Sequence, residues 1–362
     1  MSLHEVLMRQ CLELARRAEG FASPNPLVGC VVAKRGRVIG EGIHWGPGKI
    51  HAERMALFQA GEGARGADLY VNLEPCVHWG RTPPCTHLIV ESGIRRVFCS
   101  VADPWYRIAG QGFAFLRDAG IEVNRSLLEP EGLAVNRSFL TWCTAGRPFV
   151  VAKVAVTLDG KLALRGKGRV WITGEESRAD ARRLRFLCDA VIVGARTVLL
   201  DDPQLTIRLD GVAEKPLLKV VLDGAGRIPV SARVFRAPPV VVFTGTSATE
   251  MWLDGIRDTG ATIVQEPVQN DGKIAPHRIL EVLAGMGRGR VLVEGGADVV
   301  SAFLENDLID EAWVYMSARV FGAAGQGWTD AFHSGHGRRV PVITEVARTG
   351  ADVKLVLRFG NE

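Results

Sequence analysis

The sequence predicts an α/β protein of two domains, residues 1–145 and 146–362. Three observations carry that expectation. The chain, at 362 residues, is too long for one ordinary hydrophobic core. Short apolar runs of strand length alternate with amphipathic helical stretches, which implies a sheet covered on both faces. Between the halves, Thr144-Ala145-Gly146-Arg147-Pro148 is rich in helix and strand breakers. With 47% hydrophobic and 23% charged residues, the chain falls in the soluble globular class. A net charge of +4 is too small to imply a nucleic-acid partner. The N-terminus lacks a basic-then-apolar leader and no apolar run approaches a membrane span, so no membrane partner is expected. Seven cysteines, an odd number in a long chain, do not read as a disulfide framework; reduced thiols imply a cytoplasmic protein.

In the first half, Leu3, Val6, Leu7, Cys11, Leu14, Ala15 and Ala18 share one face of a helix that Gly20 stops. Ser23-Pro24-Asn25-Pro26 cannot be helical and sets Asn25 on an extended turn, as a turn-former or a ligand contact. Residues 27–33 are apolar enough for a buried strand, and Lys34-Arg35-Gly36 turns into a second over 37–42. His44 follows and reads as a solvated loop histidine rather than a substrate contact. A helix over 51–60, a strand over 69–73, a helix from Cys85 to about Ser92, a strand over 97–101, a helix over 112–119 and a strand over 121–123 complete the alternation. Residues 127–142 read as the closing helix.

The chemistry of this half gathers between His51 and Cys85. His51-Ala52-Glu53 is followed by Glu74-Pro75-Cys76-Val77-His78-Trp79-Gly80-Arg81-Thr82-Pro83-Pro84-Cys85. One imidazole and two thiolates fill three corners of a tetrahedral zinc site and leave the fourth to water, the mark of a catalytic rather than a closed structural site. Glu53, two residues past His51, can reach that position as a proton shuttle without taking a metal corner. The alternative is a core histidine with two buried thiols. Gly80, Pro83 and Pro84 suit a loop that carries Cys85 back towards Cys76.

In the second half, 149–156 is a strand with Lys153 as its one charged member, a residue that snorkels or contacts ligand. A helix over 175–188 opens on Glu175 and Glu176, which suit its N-terminal dipole. Strands are expected at 190–193, 217–222, 240–243, 262–264 and 290–293. The last feeds Glu294-Gly295-Gly296 and a helix over 297–305, a turn whose backbone N–H groups can meet a phosphate. There is no Gly-x-Gly-x-x-Gly fingerprint, so a Rossmann domain is not supported.

His-x-Glu with Pro-Cys is the zinc-deaminase signature. The long form ending Gly-Arg-Thr-Pro-Pro-Cys resembles the deaminase domain of the bifunctional riboflavin-biosynthesis deaminase–reductases. So do Pro24-Asn25-Pro26-x-Val28-Gly29 and Ala109-Gly110-x-Gly112. In the second half, Leu158-Asp159-Gly160, Trp171-Ile172-Thr173, Asp201-Asp202-Pro203-x-Leu205-Thr206-x-Arg208 and Val293-Glu294-Gly295-Gly296 resemble the reductase domain of the same enzymes, in the same order.

The resemblance implies a cytidine-deaminase-like three-layer α/β/α domain and a dihydrofolate-reductase-like α/β domain. It implies Zn2+ on His51, Cys76 and Cys85, with Glu53 catalytic. It implies NADPH against Val156, Trp171, Thr197, Asp201, Gly296, Ala297 and Asp298. Substrate would meet Asn25, Arg169, Arg185, Leu205, Arg208 and Glu294, and a homo-oligomer is expected.

The implied reactions are hydrolytic deamination of 2,5-diamino-6-ribosylamino-4(3H)-pyrimidinone 5′-phosphate, then reduction of the ribosyl side chain to give 5-amino-6-ribitylaminouracil 5′-phosphate. Two departures stand out. Trp105-Tyr106 replaces the family's Asn-Pro after Asp103-Pro104, and Arg169 stands where a serine is usual. Two other readings remain. A nucleic-acid-editing deaminase would need a basic, aromatic-rich face. A non-catalytic zinc module would need a fourth protein ligand, for which His78 is the nearby candidate.

Overall fold

The computed structural model describes all residues except 80–82, 106–108, 167–169, 210, 212–214, 329–339 and 361–362. Gly80, Arg81, Thr82, Tyr106 and Arg169 therefore lie outside the described residues. The chain divides into two compact units, Met1–Arg147 and Pro148–Glu362.

The first unit opens with α1 (Leu3–Arg16), capped by a reciprocal Ser2–Glu5 box. Its sheet comprises β1 (Gly29–Lys34), β2 (Arg37–Ile43), β3 (Asp68–Leu73), β4 (Arg96–Val101) and β5 (Glu122–Asn124), in the order β2-β1-β3-β4-β5. Strand β1 is antiparallel to both β2 and β3, while β3, β4 and β5 run parallel. The period of two sorts the side chains onto the two faces. Cys30, Val32, Leu69, Val71, Val97 and Cys99 pack with α2 (Ala52–Ala60), α3 (Cys85–Glu91) and α4 (Gln111–Asp118). Val31, Ala33, Tyr70 and Phe98 pack instead with α1 and Val135 of α5 (Glu129–Val135). The result is three layers. The expected single closing helix is two, α5 and α6 (Arg137–Ala145), which meet at Asn136, whose side chain bonds both backbone groups of Leu27.

Two glycines seat α2. A Cβ at Gly42 would lie 1.9 Å from the Ala52 carbonyl, and one at Gly40 2.1 Å from that of Ala56. The helix backbone can thus lie directly on β2, which fixes where its first turn points.

The second unit holds β6 (Phe149–Thr157), β7 (Lys161–Leu164), α7 (Glu175–Leu187), β8 (Ala190–Gly194), α8 (Ala195–Asp201), β9 (Leu218–Asp223), β10 (Val240–Thr244), α9 (Glu250–Asp258), β11 (Thr262–Gln265), α10 (Pro276–Gly285), β12 (Arg290–Val293), α11 (Ala297–Glu305), β13 (Glu311–Ser317), β14 (Gly325–Gly327), β15 (Val342–Thr349) and β16 (Asp352–Arg358). Nine strands form one sheet, β11-β10-β9-β8-β12-β6-β13-β16-β15; β7 and β14 pair separately. From β11 to β13 every pairing is parallel, and β16 and β15 add an antiparallel edge. One face buries Val150, Ala152, Ile192 and Val220 with α10 and α11; the other buries Val151, Val191, Val193 and Val221 with α7 and α9. No helix among the described residues is long and apolar enough to cross a membrane.

Candidate metal centre and reductase cleft

His51 is the N-cap of α2, in extended conformation, and Cys85 is the first residue of α3. Cys76 sits in the loop leaving β3. The ligand atoms of all three lie within 4.8 Å of one another. His51 Nδ1 is 3.3 Å from Cys85 Sγ and 3.6 Å from Cys76 Sγ. A tetrahedral zinc with ordinary Zn–N and Zn–S bonds sets nitrogen and sulfur about 3.6 Å apart, so this donor set fits that metal. The charges agree. Hydrogen bonds from Cys85 and His51, against the cost of burial, hold the Cys76 thiol down to about 4. Its bond to Cys76 and burial push Cys85 up, and the bond to Cys76 raises His51. The Cys85 backbone N–H, at the start of α3, donates to Cys76 Sγ at 3.3 Å. Among the described residues no fourth His, Cys, Asp or Glu joins the cluster, which leaves the fourth corner that a closed structural site would fill.

Glu53, in the first turn of α2, is buried at 4% exposure. Burial, then the Cys76 charge, push its carboxyl up to about 7.

His44 departs from the sequence expectation. It is buried, not solvated: its ring meets that of His51 edge-on, with centroids 5.2 Å apart. His44 Nδ1 lies 3.1 Å from the Ile50 carbonyl, so Nδ1 carries the proton and Nε2 accepts from Asn25 Nδ2 at 3.0 Å. Burial also lowers its pKa, consistent with that neutral form. Asn25 is thereby linked through His44 to the metal-ligand cluster.

Glu74 positions the loop around the site, a role the sequence did not reveal. Its buried carboxylate accepts four backbone N–H groups: Asp103 and Gly110 on Oε2, at 3.1 and 3.0 Å, and Gly112 and Phe113 on Oε1, at 2.8 and 3.4 Å. It therefore pins Asp103 and the start of α4 beside the cysteine loop. Gly112 is required for the approach, since a Cβ there would lie 2.3 Å from the Pro75 carbonyl. Trp105 sits just past this pinned residue, its N–H bonded to Asp103 Oδ1 at 2.8 Å, and its ring faces His78 edge-on at 6.4 Å.

Two cavities of the second unit lie at the C-terminal ends of its parallel strands, where open α/β sheets bind ligands. The smaller, 390 Å³, is lined by Lys153, Arg185, Leu205, Arg208 and Glu294, together with Trp171 and three arginines the sequence did not single out, Arg178, Arg182 and Arg233. Glu294 anchors it. Arg185 donates Nε to Oε2 at 2.7 Å and Nη2 to Oε1 at 2.9 Å, and Lys153 Nζ approaches Oε1 at 3.4 Å. Burial opposes the Glu294 charge, but Arg185 and Lys153 more than offset it and hold the carboxyl at about 2. Lys153 thus meets a buried carboxylate rather than solvent.

The larger cavity, 890 Å³, is lined by Thr197, Asp201, Gly296, Ala297 and Asp298. Gly296 is the N-cap of α11 and no side chain caps that end, so the first backbone N–H groups of the helix are left open at the cavity, as a phosphate would require. A Cβ at Gly295 would lie 2.8 Å from Val299, so that glycine serves packing. The volume suits a dinucleotide. Trp171 lines the smaller cavity, while its neighbour Val170 lines the larger. The Val156 side chain is enclosed in the core, where an apolar side chain on a central strand belongs, and does not line either cavity.

A His-Cys-Cys cluster beside a buried glutamate, on a three-layer sheet domain, is the arrangement of a zinc-type deaminase; a parallel sheet with an uncapped helix start beside an arginine-lined cavity is that of a nucleotide-dependent reductase. Residues 1–101 match the cytidine and deoxycytidylate deaminase zinc-binding region, and residues 148–336 match the RibD C-terminal domain. The chain is 39% identical over 361 residues to the riboflavin biosynthesis protein RibD of Bacillus amyloliquefaciens, covering 98% of this chain and 95% of that one. Among solved structures it resembles Acinetobacter baumannii RibD with a TM-score of 0.87 and 34% identity over 99% of both chains. It also resembles a diaminohydroxyphosphoribosylaminopyrimidine deaminase/5-amino-6-(5-phosphoribosylamino)uracil reductase from Thermotoga maritima, with a TM-score of 0.84 and 35% identity, again over 99% of both. The chain belongs to the RibD family of riboflavin biosynthesis proteins. It is a bifunctional deaminase and reductase that uses zinc in its first unit and NADPH in its second.

Proposed function

We propose that the first unit deaminates 2,5-diamino-6-ribosylamino-4(3H)-pyrimidinone 5′-phosphate, with His51, Cys76 and Cys85 holding the zinc and Glu53 moving the proton. The observation that carries this reading is the placement of Glu53 two residues past the ligand His51, buried beside both thiols. Zinc, when bound, supplies a Lewis acid and water activation at neutral pH. Glu53 accepts the water proton on its carboxylate and hands it to the departing ammonia. Asn25, oriented by His44, presents its amide to the pyrimidine. Trp105 offers a flat apolar face across the cysteine loop from His78; the hook of Glu74 on Asp103 favours that position over packing elsewhere.

The second unit then reduces the ribosyl side chain of the deaminated product. Arg185, Leu205, Arg208 and Glu294 receive the substrate, its phosphate gripped by Arg208. Thr197, Asp201 and the turn of Gly296, Ala297 and Asp298 receive NADPH, which supplies the hydride; Trp171 stands between the two ligands. Arg169, two residues before Trp171, adds a cation for phosphate. The two activities belong to residues 1–145 and 146–362, in a cytoplasmic homo-oligomer. Chelation tests the division of labour. Removing zinc should abolish ammonia release, while NADPH oxidation with the supplied deaminated intermediate persists. Ammonia release that survives complete loss of zinc would defeat this reading.

A further inference from the structure

Six cations line the smaller cavity of the second unit, and four of them share two carboxylates. Arg185 and Lys153 meet on Glu294, and Arg178 and Arg182 meet on Glu175. Arg208 donates only to neutral oxygens, Thr206 Oγ1 and Gln204 Oε1. Arg233 is exposed, and among the described residues nothing accepts from its guanidinium. We propose that Arg233, anchored by Asp202, is a second cation for the substrate phosphate beside Arg208, and so helps to set the preference of the reductase for phosphorylated substrate. This rests on the reading of that cavity as the substrate site of the reductase.

Charge comes first. A phosphomonoester carries about −1.5 to −2 at neutral pH, so a single guanidinium leaves it partly uncompensated. Arg185 is poorly placed to supply the rest. Its Nε and Nη2 are on Glu294 and its Nη1 is on the Thr206 carbonyl. Arg208 and Arg233 bring two charges not held by any carboxylate to one cavity of 390 Å³. Each presents a planar fork that matches phosphate oxygens.

The backbone is arranged for this pair. The stretch 202–205 begins and ends on left-handed residues, Asp202 at φ 40° and Leu205 at φ 54°. Aspartate tolerates that region, whereas a bulky apolar residue rarely enters it; burial of the Leu205 side chain in the core holds it there. Residues on either side of Leu205, Gln204 and Thr206, both reach the Arg208 guanidinium. At the other end of the stretch, Asp202 Oδ1 accepts the Arg233 N–H at 2.7 Å. Arg233 opens a short 3-10 turn, Arg233–Arg236, and its neighbours Ala232, Val234 and Phe235 are buried in the core. Its backbone is thus fixed on both sides while its side chain lines the cavity. One loop therefore steadies both cations, and left-handed outliers of this kind gather where ligands are clamped. The second aspartate of Asp201-Asp202-Pro203 also gains a task of its own: Asp201 lines the larger cavity and Asp202 the smaller.

The test is steady-state NADPH oxidation by the full chain, with the deaminated intermediate supplied in phosphorylated and dephosphorylated forms. Arg233→Gln should raise the KM for the phosphorylated form by about tenfold or more and leave that for the dephosphorylated form in place. Asp202→Gly accepts the left-handed turn but has no acceptor for the Arg233 N–H, and should shift the KM in the same direction by less. Asp202→Asn keeps both the turn and an acceptor and should restore the wild-type value. A folded Arg233→Gln variant with unchanged discrimination, where Arg208→Ala loses it, overturns the assignment and leaves the substrate reading of the cavity standing. Equal loss for both forms also overturns it, since Arg233 would then only hold its turn. An Asp202→Asn variant as impaired as Asp202→Gly overturns the anchoring role. A wild type that uses both forms alike, or discrimination untouched in Arg208→Ala as well as Arg233→Gln, removes the phosphate reading of the cavity itself, and the assignment falls with it.

Discussion

Glu53 and Glu294 are both largely buried carboxylates, and their surroundings drive them in opposite directions. Burial penalises either charge. Glu53 has two thiols as neighbours and is pushed up to about 7, whereas Glu294 is clamped by Arg185 and Lys153 and held at about 2. Partner chemistry therefore outweighs depth. The contrast matches the work. A group that takes and returns a proton must exist in both forms near neutrality. A group that keeps two cations in register for a substrate must remain charged.

The largest expected effect is on the first side of this contrast. Glu53→Gln keeps the shape and cannot accept the proton, so ammonia release should fall by roughly 10²–10⁴, with zinc content and reductase activity retained. Near-normal turnover in zinc-loaded protein would end the shuttle role. The second side should fail through stability. Glu294→Ala leaves Arg185 and Lys153 facing a void, and should cost about 3–5 kcal/mol in chemical denaturation of the second unit.

The sign with pH follows from the depressed value. The Glu294 contribution is fully present above its unfolded pKa, about 4.3, and is lost as pH falls from there through about 2. An acid titration with the same slope in Glu294→Ala as in wild type would break the comparison. A smaller effect is expected at Arg208, which is exposed and donates to Thr206 Oγ1 at 3.1 Å and to Gln204 Oε1. Arg208→Ala should cost about 1.5–3 kcal/mol of affinity for phosphorylated substrate and spare the dephosphorylated one; equal loss would mean a structural role. The smallest concerns Trp105. Trp105→Asn should shift the deaminase KM by about 1–3 kcal/mol in binding terms and leave the reductase untouched. An unchanged KM with an altered oligomeric state would favour packing instead.

The two units were not equally legible. The ligand cluster could be read because each residue type is diagnostic and the local spacing is short. Glu74 could be read only as a member of a motif, since its partners lie 29 to 39 residues further on. His44 was misread because its burial comes from Asn25 and Ile50, which the loop sequence does not reveal. In the second unit, apolar runs announced the central strands, β6, β8, β9, β10 and β12. The strand β16 escaped because Lys354 interrupts its apolar run, whereas β13, apolar over 312–316, carries no such interruption. Lys354, nearly buried, pairs with Asp180 at 3.2 Å and lies 3.8 Å over the Trp313 ring, a setting only the fold supplies. Likewise Arg178 and Arg182 belong to an arginine-rich helix that reads as solvated until the cavity beside it is seen.

The Glu74 hook also orders events in time. Its four N–H partners lie beyond β4 in the chain and are expected to arrive only after β4 has paired with β3 and α4 has docked; Cys76 is two residues away on the same loop. In a small zinc finger the metal organises a short chain and drives its collapse. Here the ligands are settled by contacts distant along the chain, which form late because long loops must close first. Metal uptake during refolding should therefore track completion of the first unit, and zinc should act as the seal on a finished scaffold rather than as its nucleus.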